Sequence, residues 1–169
     1  FVPDGDYASF IEQYTGQASE PGDFVDKEGK VLGKHKGQIH YTIGQRRGLG
    51  ISAPESLYVC GKSLDTNKVI LGGKDDLMSN YCYINDINLI PWDHLDKPIQ
   101  CKVKTRYRQP EQPATVEQLR DDLIKITFQE PQRAVTPGQA AVLYDGDMVL
   151  GGGTILSEEA AAKAVASTN

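Results

Sequence analysis

Four cations stand at every second position of one short stretch: Lys102, Lys104, Arg106 and Arg108, with Cys101, Val103, Thr105 and Tyr107 between them. Strand side chains alternate between faces, so this spacing predicts a strand with the four cations on one face and β-formers on the other. Like charges in a row repel, and a strand gains nothing from the row unless an anion faces it. Two readings stay open on these residues alone: a surface that binds a polyanion, or a solvated outer face whose lysines discourage edge pairing.

The charge distribution sharpens the question. The 169-residue chain has a formal net charge of −5, yet the charge is not evenly spread. Val25 to Gly50 holds six basic residues (Lys27, Lys30, Lys34, Lys36, Arg46, Arg47) against Asp26 and Glu28, and Cys101 to Arg108 holds four with no acid. Those 34 residues carry +8 while the other 135 carry −13. A local basic surface on an acidic body suits a protein that binds a polyanion at one place.

Familiar catalytic patterns do not fit. Gly61-Lys62-Ser63 lacks the upstream glycine of a phosphate-binding loop, since position 56 is Ser. Gly48-Leu49-Gly50 lacks the third glycine of a dinucleotide fingerprint. His35 and His40 have no Glu or His to complete a zincin motif and read as surface or turn residues, and no Ser sits in a G-x-S-x-G elbow. No metal site is expected. Cys60, Cys82 and Cys101 form no C-x-x-C and read as structural thiols of a reducing compartment, the cytoplasm. No stretch reaches the roughly 18 apolar residues of a membrane span. Phe1 to Tyr14 shows no basic n-region, and an initial Phe suggests a piece of something longer.

The elements that must position the cations read as mainly β. Tyr7 to Tyr14 has helical spacing, and Pro21-Gly22 ends that segment. Asp23 to Gly33 and Leu57 to Gly72 read as hairpins, the second turning at Leu64-Asp65-Thr66-Asn67. After a boundary at Asp75 to Met78, the pattern predicts strands at Cys82–Leu89, Ile99–Tyr107, Ala114–Leu119, Leu123–Phe128, Gln139–Tyr144 and Met148–Ile155. Asp121-Asp122, Pro137-Gly138 and Asp145-Gly146 supply turns. This spacing without helices points to a small closed barrel or sandwich. Gly151-Gly152-Gly153 marks a bulge or close backbone approach, and Ser157 to Asn169 is an Ala-rich helix or disordered tail.

Gly33-Lys34-His35-Lys36-Gly37, Tyr41 through Ile51 (YTIGQRRGLGI), Val103 through Gln109 (VKTRYRQ), and Ala134 through Ala140 (AVTPGQA) on to Leu150-Gly151-Gly152-Gly153 are specific blocks in order. With Phe1 through Tyr7 (FVPDGDY), they resemble the tRNA-specific 2-thiouridylases, the MnmA family, from Phe1 to about Leu156. The resemblance implies an enzyme that uses ATP with Mg to adenylate a wobble uridine of tRNA, then transfers persulfide sulfur to give 2-thiouridine. It implies that the N-terminal domain, with the ATP site and both catalytic cysteines, is absent here. Cys60, Cys82 and Cys101 match neither cysteine, so no catalytic residue and no cofactor are expected in this fragment.

The domains it implies are residues 1–20 as residual helix and linker, a small central β-rich domain at 21–78, and a C-terminal β-barrel at 79–156 similar to an elongation-factor domain, with 157–169 as tail. Its tRNA contacts carry over to Arg106, Tyr107 and Gln139. Tyr107 would stack on an unpaired base and Gln139 would hydrogen-bond a base edge or backbone, against the plainer readings of a core aromatic and a turn residue. Lys104 and Arg108 join them from the charge pattern. Arg46 and Arg47 are candidate phosphate contacts or turn-capping arginines. The implied partners are the tRNA anticodon arm and a sulfur-carrier protein, with no membrane. Two alternatives stand beside this reading: a non-catalytic translation-factor-like RNA-binding module, and a tRNA methyltransferase.

Overall fold

The computed structural model describes residues 20–167, and the helical spacing at Tyr7 to Tyr14 lies outside them. The chain divides into two compact units, one ending at Leu77 and one beginning at Met78. Among the described residues no helix is long and apolar enough to cross a membrane.

The first unit is a four-stranded sheet. β1 (Gly22–Val25) and β2 (Val31–His35) form a hairpin, as do β3 (Tyr58–Ser63) and β4 (Lys68–Gly72). The order is β2-β1-β4-β3, joined by parallel pairing of β1 with β4. Asp26 builds the first turn: its carboxylate accepts from the Glu28 and Lys30 amides at 3.0 and 2.8 Å. Phe24, Tyr41, Leu49, Val59, Val69 and Leu71 form the core. His35 is a correction to the surface reading, for it is only 2% exposed. Its Nδ1 accepts from the Gly37 amide at 3.0 Å, so Nε2 carries the proton and donates to the Asn67 carbonyl at 3.0 Å.

The second unit is a closed barrel of β5 (Met78–Leu89), β6 (Ile99–Lys104), β7 (Gln112–Arg120), β8 (Leu123–Arg133), β9 (Ala140–Asp145) and β10 (Met148–Ile155). The order around it is β10-β5-β8-β7-β6-β9, with every neighbour antiparallel. Alternate residues fill the interior, among them Ile84, Val103, Val116, Ile124, Ile126 and Leu143. α1 (Glu158–Ala166) follows, with the Ser157 hydroxyl accepting from the Ala160 amide at its N-terminus. The Ala-rich segment is therefore a helix through Ala166, held to the barrel by the Arg120 guanidinium donating to Ser167 at 2.7 Å.

Closure needs the three glycines of β10. A Cβ at Gly151 would collide with the Asn88 carbonyl, one at Gly152 with that of Ala141, and one at Gly153 with that of Asn85. Both neighbours of β10 show register shifts at these glycines, so the bulge and the close approach occur together. Gly152→Ala should cost about 1–3 kcal/mol in urea denaturation because backbone must move. Ser157→Ala should cost about 1 kcal/mol, read as earlier loss of helical circular dichroism.

Candidate nucleic-acid interface

The alternating row does not continue as a strand. β6 stops at Lys104, where its last partner on β9 is Val142, and its pairing with β7 stops at Val103 opposite Gln112. The predicted strand Ile99–Tyr107 is thus corrected: Lys102 and Lys104 lie on it, whereas Arg106, Tyr107 and Arg108 lie on the loop beyond. The loop turns because Thr105 is buried, with its hydroxyl 3.4 Å from Gln109 Oε1, and the Gln109 amide donates to the Arg106 carbonyl. A chain that has left the ladder no longer alternates faces, so Arg106 and Tyr107 are free to serve one surface.

Topology brings a second loop to this one. In the barrel β8 and β9 lie on either side of the β7–β6 pair, so residues 134–139 that connect them pass the β6–β7 loop at the same end. The Arg106 guanidinium donates to the Ala134 carbonyl at 2.9 Å, and the Thr136 hydroxyl donates to the same carbonyl at 2.8 Å. Gln109 Nε2 donates to Oε1 of the buried Gln132 at 2.8 Å, a second tie, from the β6–β7 loop to the end of β8. Gln139 then has its backbone held on both sides: its amide donates to the Thr136 carbonyl and its carbonyl accepts from the Ile155 amide at 2.9 Å. Its side chain is exposed.

What faces outward is a cation and an aromatic ring side by side. Tyr107 is 91% exposed, which rules out the core-aromatic reading. The Lys104 ammonium stands 5.8 Å from the centre of its ring, and Arg108 is exposed beside it. Arg106 is half-buried and acts partly as an anchor. The structure therefore gathers Lys104, Arg106, Tyr107, Arg108 and Gln139 at one end of the barrel. Sequence reasoning missed Ala134, whose contribution is a backbone carbonyl, and Gln132, which carries no surface signal.

Arg46 and Arg47 belong to the other unit and are exposed on the loop between Tyr41 and Leu57. Gln45 braces that loop: its carbonyl accepts from Val59, Oε1 accepts from the Thr42 amide, and Nε2 donates to the Arg47 carbonyl. Part of the basic run around them is structural, because Lys27 pairs with Asp76 and Lys34 with Asp23. Each lysine's hydrogen bond holds its partner's carboxyl below the ordinary carboxylate range. Lowered pKa values give stability that is present above the unfolded value of about 4 and lost as pH falls through the folded one.

The remaining chemistry is quiet. Gly61, Lys62 and Ser63 lie within β3 and pair with β4, so they do not form a loop that opens a helix and do not fit an ATP phosphate site. Burial pushes Cys82 up to about 12 and, as the leading cause, Cys60 and Cys101 up to about 11, with Asp76 and Asp145 adding to the last two. Protonated thiols are poor nucleophiles at neutral pH.

Two family models match: residues 79–155 fit the aminomethyltransferase beta-barrel domain, and residues 8–73 the tRNA methyl transferase PRC-barrel domain. Among curated proteins, the tRNA-specific 2-thiouridylase MnmA of Acetivibrio thermocellus is 46% identical over 155 residues, covering 92% of this chain and 43% of that protein. Those of Lachnoclostridium phytofermentans and Clostridioides difficile are 45% and 44% identical over the same share of this chain. The chain spans less than half the length of these relatives.

The anchor Arg106 and the exposed Arg108 separate by stability. Arg106→Ala should cost the barrel about 1–3 kcal/mol in urea denaturation, through the lost charge-assisted bond, whereas Arg108→Ala should stay within about 0.5 kcal/mol.

Proposed function

Because this chain belongs to the tRNA-specific 2-thiouridylase family, we propose that the joined loops at Lys104–Gln109 and Ala134–Gln139 are a tRNA-docking surface of such an enzyme. The observation that carries this reading is the hydrogen bond from Arg106 to the Ala134 carbonyl. It unites two segments that are separate in sequence and that the resemblance marks separately as tRNA contacts.

The roles follow from the side chains. Lys104 and Arg108 neutralise phosphates and release counterions, giving affinity without sequence choice. Arg106 spends one donor on Ala134 and keeps the rest of its fork for a phosphate. Tyr107 offers an open ring to an unpaired base, and Gln139 a donor and an acceptor to a base edge or backbone. Such a surface holds an anticodon arm while the chemistry proceeds elsewhere. Arg46 and Arg47 add phosphate contacts from the first unit.

In this proposal the longer protein adenylates the wobble uridine with ATP and Mg, then transfers sulfur delivered by a carrier protein, in the cytoplasm. The residues present do not fit an ATP site, so no step of that reaction is placed on this chain. The matched domain descriptions speak of methyl transfer, but the relatives aligned over 92% of the chain are named 2-thiouridylases. Similarity across both domains together weighs more than either domain's label.

The test is binding of this chain to a wobble-uridine tRNA across a salt series. Lys104→Ala with Arg108→Ala should weaken binding and flatten the slope of log K against log salt by about 1–2, as expected for two lost phosphate contacts. Equal slopes for wild type and the double variant would make this end a solvated face.

A further inference from the structure

We infer a second RNA contact on the barrel wall, built from Tyr81, Tyr83 and Lys125, that stacks an unpaired nucleobase. It rests on the tRNA-docking reading and extends it to residues that neither the charge pattern nor the family blocks mark. Along β5, Cys82 and Ile84 point into the barrel, which sends Tyr81 and Tyr83 outward. Their ring centres are 5.7 Å apart at 84°, an edge-to-face pair. Lys125 lies opposite Tyr83 on β8 and places its ammonium 5.0 Å from the Tyr81 ring centre and 5.9 Å from that of Tyr83.

The neighbours fix the Tyr81 ring in place and leave about half of its surface open. Tyr81 remains 52% exposed although one strand holds its pair and the next holds its cation. An aromatic ring held upright and left open is what single-stranded nucleic acid uses, since every base has a face to stack, and a nearby ammonium meets the phosphate. Glu117 is the charged group facing Lys125 from β7. Its carboxylate offsets part of the ammonium's pull on a phosphate, so the uncharged stack on Tyr81 carries the contact.

Position selects RNA as the occupant. The Ile155 amide donates to the Gln139 carbonyl and the next amide, Leu156, donates to the Tyr83 carbonyl, both at 2.9 Å. Two consecutive residues thus link the backbone of the platform to that of Gln139. β5 also begins at the docking end, where Met78 pairs with Arg133 at the close of β8. Tyr81 and Tyr83 lie in the half of β5 nearer that end, Tyr81 the nearer of the two, on the wall that an RNA held at Gln139 would meet.

The experiment compares this chain with Tyr81→Ala, Tyr81→Phe and Lys104→Ala/Arg108→Ala, on three probes: a wobble-uridine tRNA, a single-stranded RNA, and a blunt RNA duplex. Tyr81→Ala should weaken binding to tRNA and single strand by about 5- to 150-fold, with the salt slope unchanged and duplex binding unaffected. Tyr81→Phe should stay within about twofold, because the ring is kept. If Tyr81→Ala does not fold, Tyr81→Thr removes the ring with a side chain suited to a strand and should show the same loss. Ringless variants that bind tRNA and single strand like wild type overturn the platform, and an equal loss on the duplex overturns it too. If the platform fails while the Lys104/Arg108 variant still flattens the salt slope, the docking reading stands alone. If tRNA binding ignores Lys104 and Arg108 but single-strand binding needs Tyr81, the docking end is wrong and the platform stands.

Discussion

The carbonyl of Ala134 accepts from a guanidinium and from a hydroxyl at once, and the working end of the barrel depends on that double acceptance. Ala134 is buried and sits at φ 52, a left-handed conformation that costs an alanine about 1–2 kcal/mol. Two hydrogen bonds, one of them charge-assisted, offset a cost of that size. Of the two, the Arg106 bond crosses to the β6–β7 loop, and with the Gln109–Gln132 bond it fastens that loop to the end of β8 and the connection that follows. Tyr107 and Gln139 are thereby held at one end of the barrel.

The arrangement follows from barrel order. Placing the β7–β6 hairpin between β8 and β9 forces the β8–β9 connection past the hairpin's far loop. Thr105, Gln109 and Gln132 then satisfy one another where the two segments meet, so polar side chains are buried there with partners. The glycines of β10 serve the same end at a distance, because a barrel that could not close would not bring β8, β6 and β9 into this order.

Much of the fold was legible in the residues. Asp145-Gly146 turns the last hairpin with Gly146 at φ 61, and the three glycines of β10 sit where the ladder shifts. The end of β6 was not legible, because the alternation of cations continues to Arg108 although the pairing partners stop at Lys104. Composition records which face a side chain prefers, but not where a neighbouring strand ends. His35 misled for a related reason: its burial depends on Asn67, distant in sequence, whose carbonyl accepts from the ring N–H. At the candidate site, the cations and Tyr107 were visible as types, whereas their meeting with Gln139 runs through a backbone oxygen that no side-chain pattern reveals.

The central claim is that two loops, joined through Ala134, meet one RNA as a single surface. The most direct measurement is a residue-resolved map of amide chemical-shift changes in this chain as an anticodon stem-loop is titrated in. The account predicts that Lys104 to Gln109 and Ala134 to Gln139 shift together along one binding curve. Changes confined to one of these loops, or lying away from both, would contradict it.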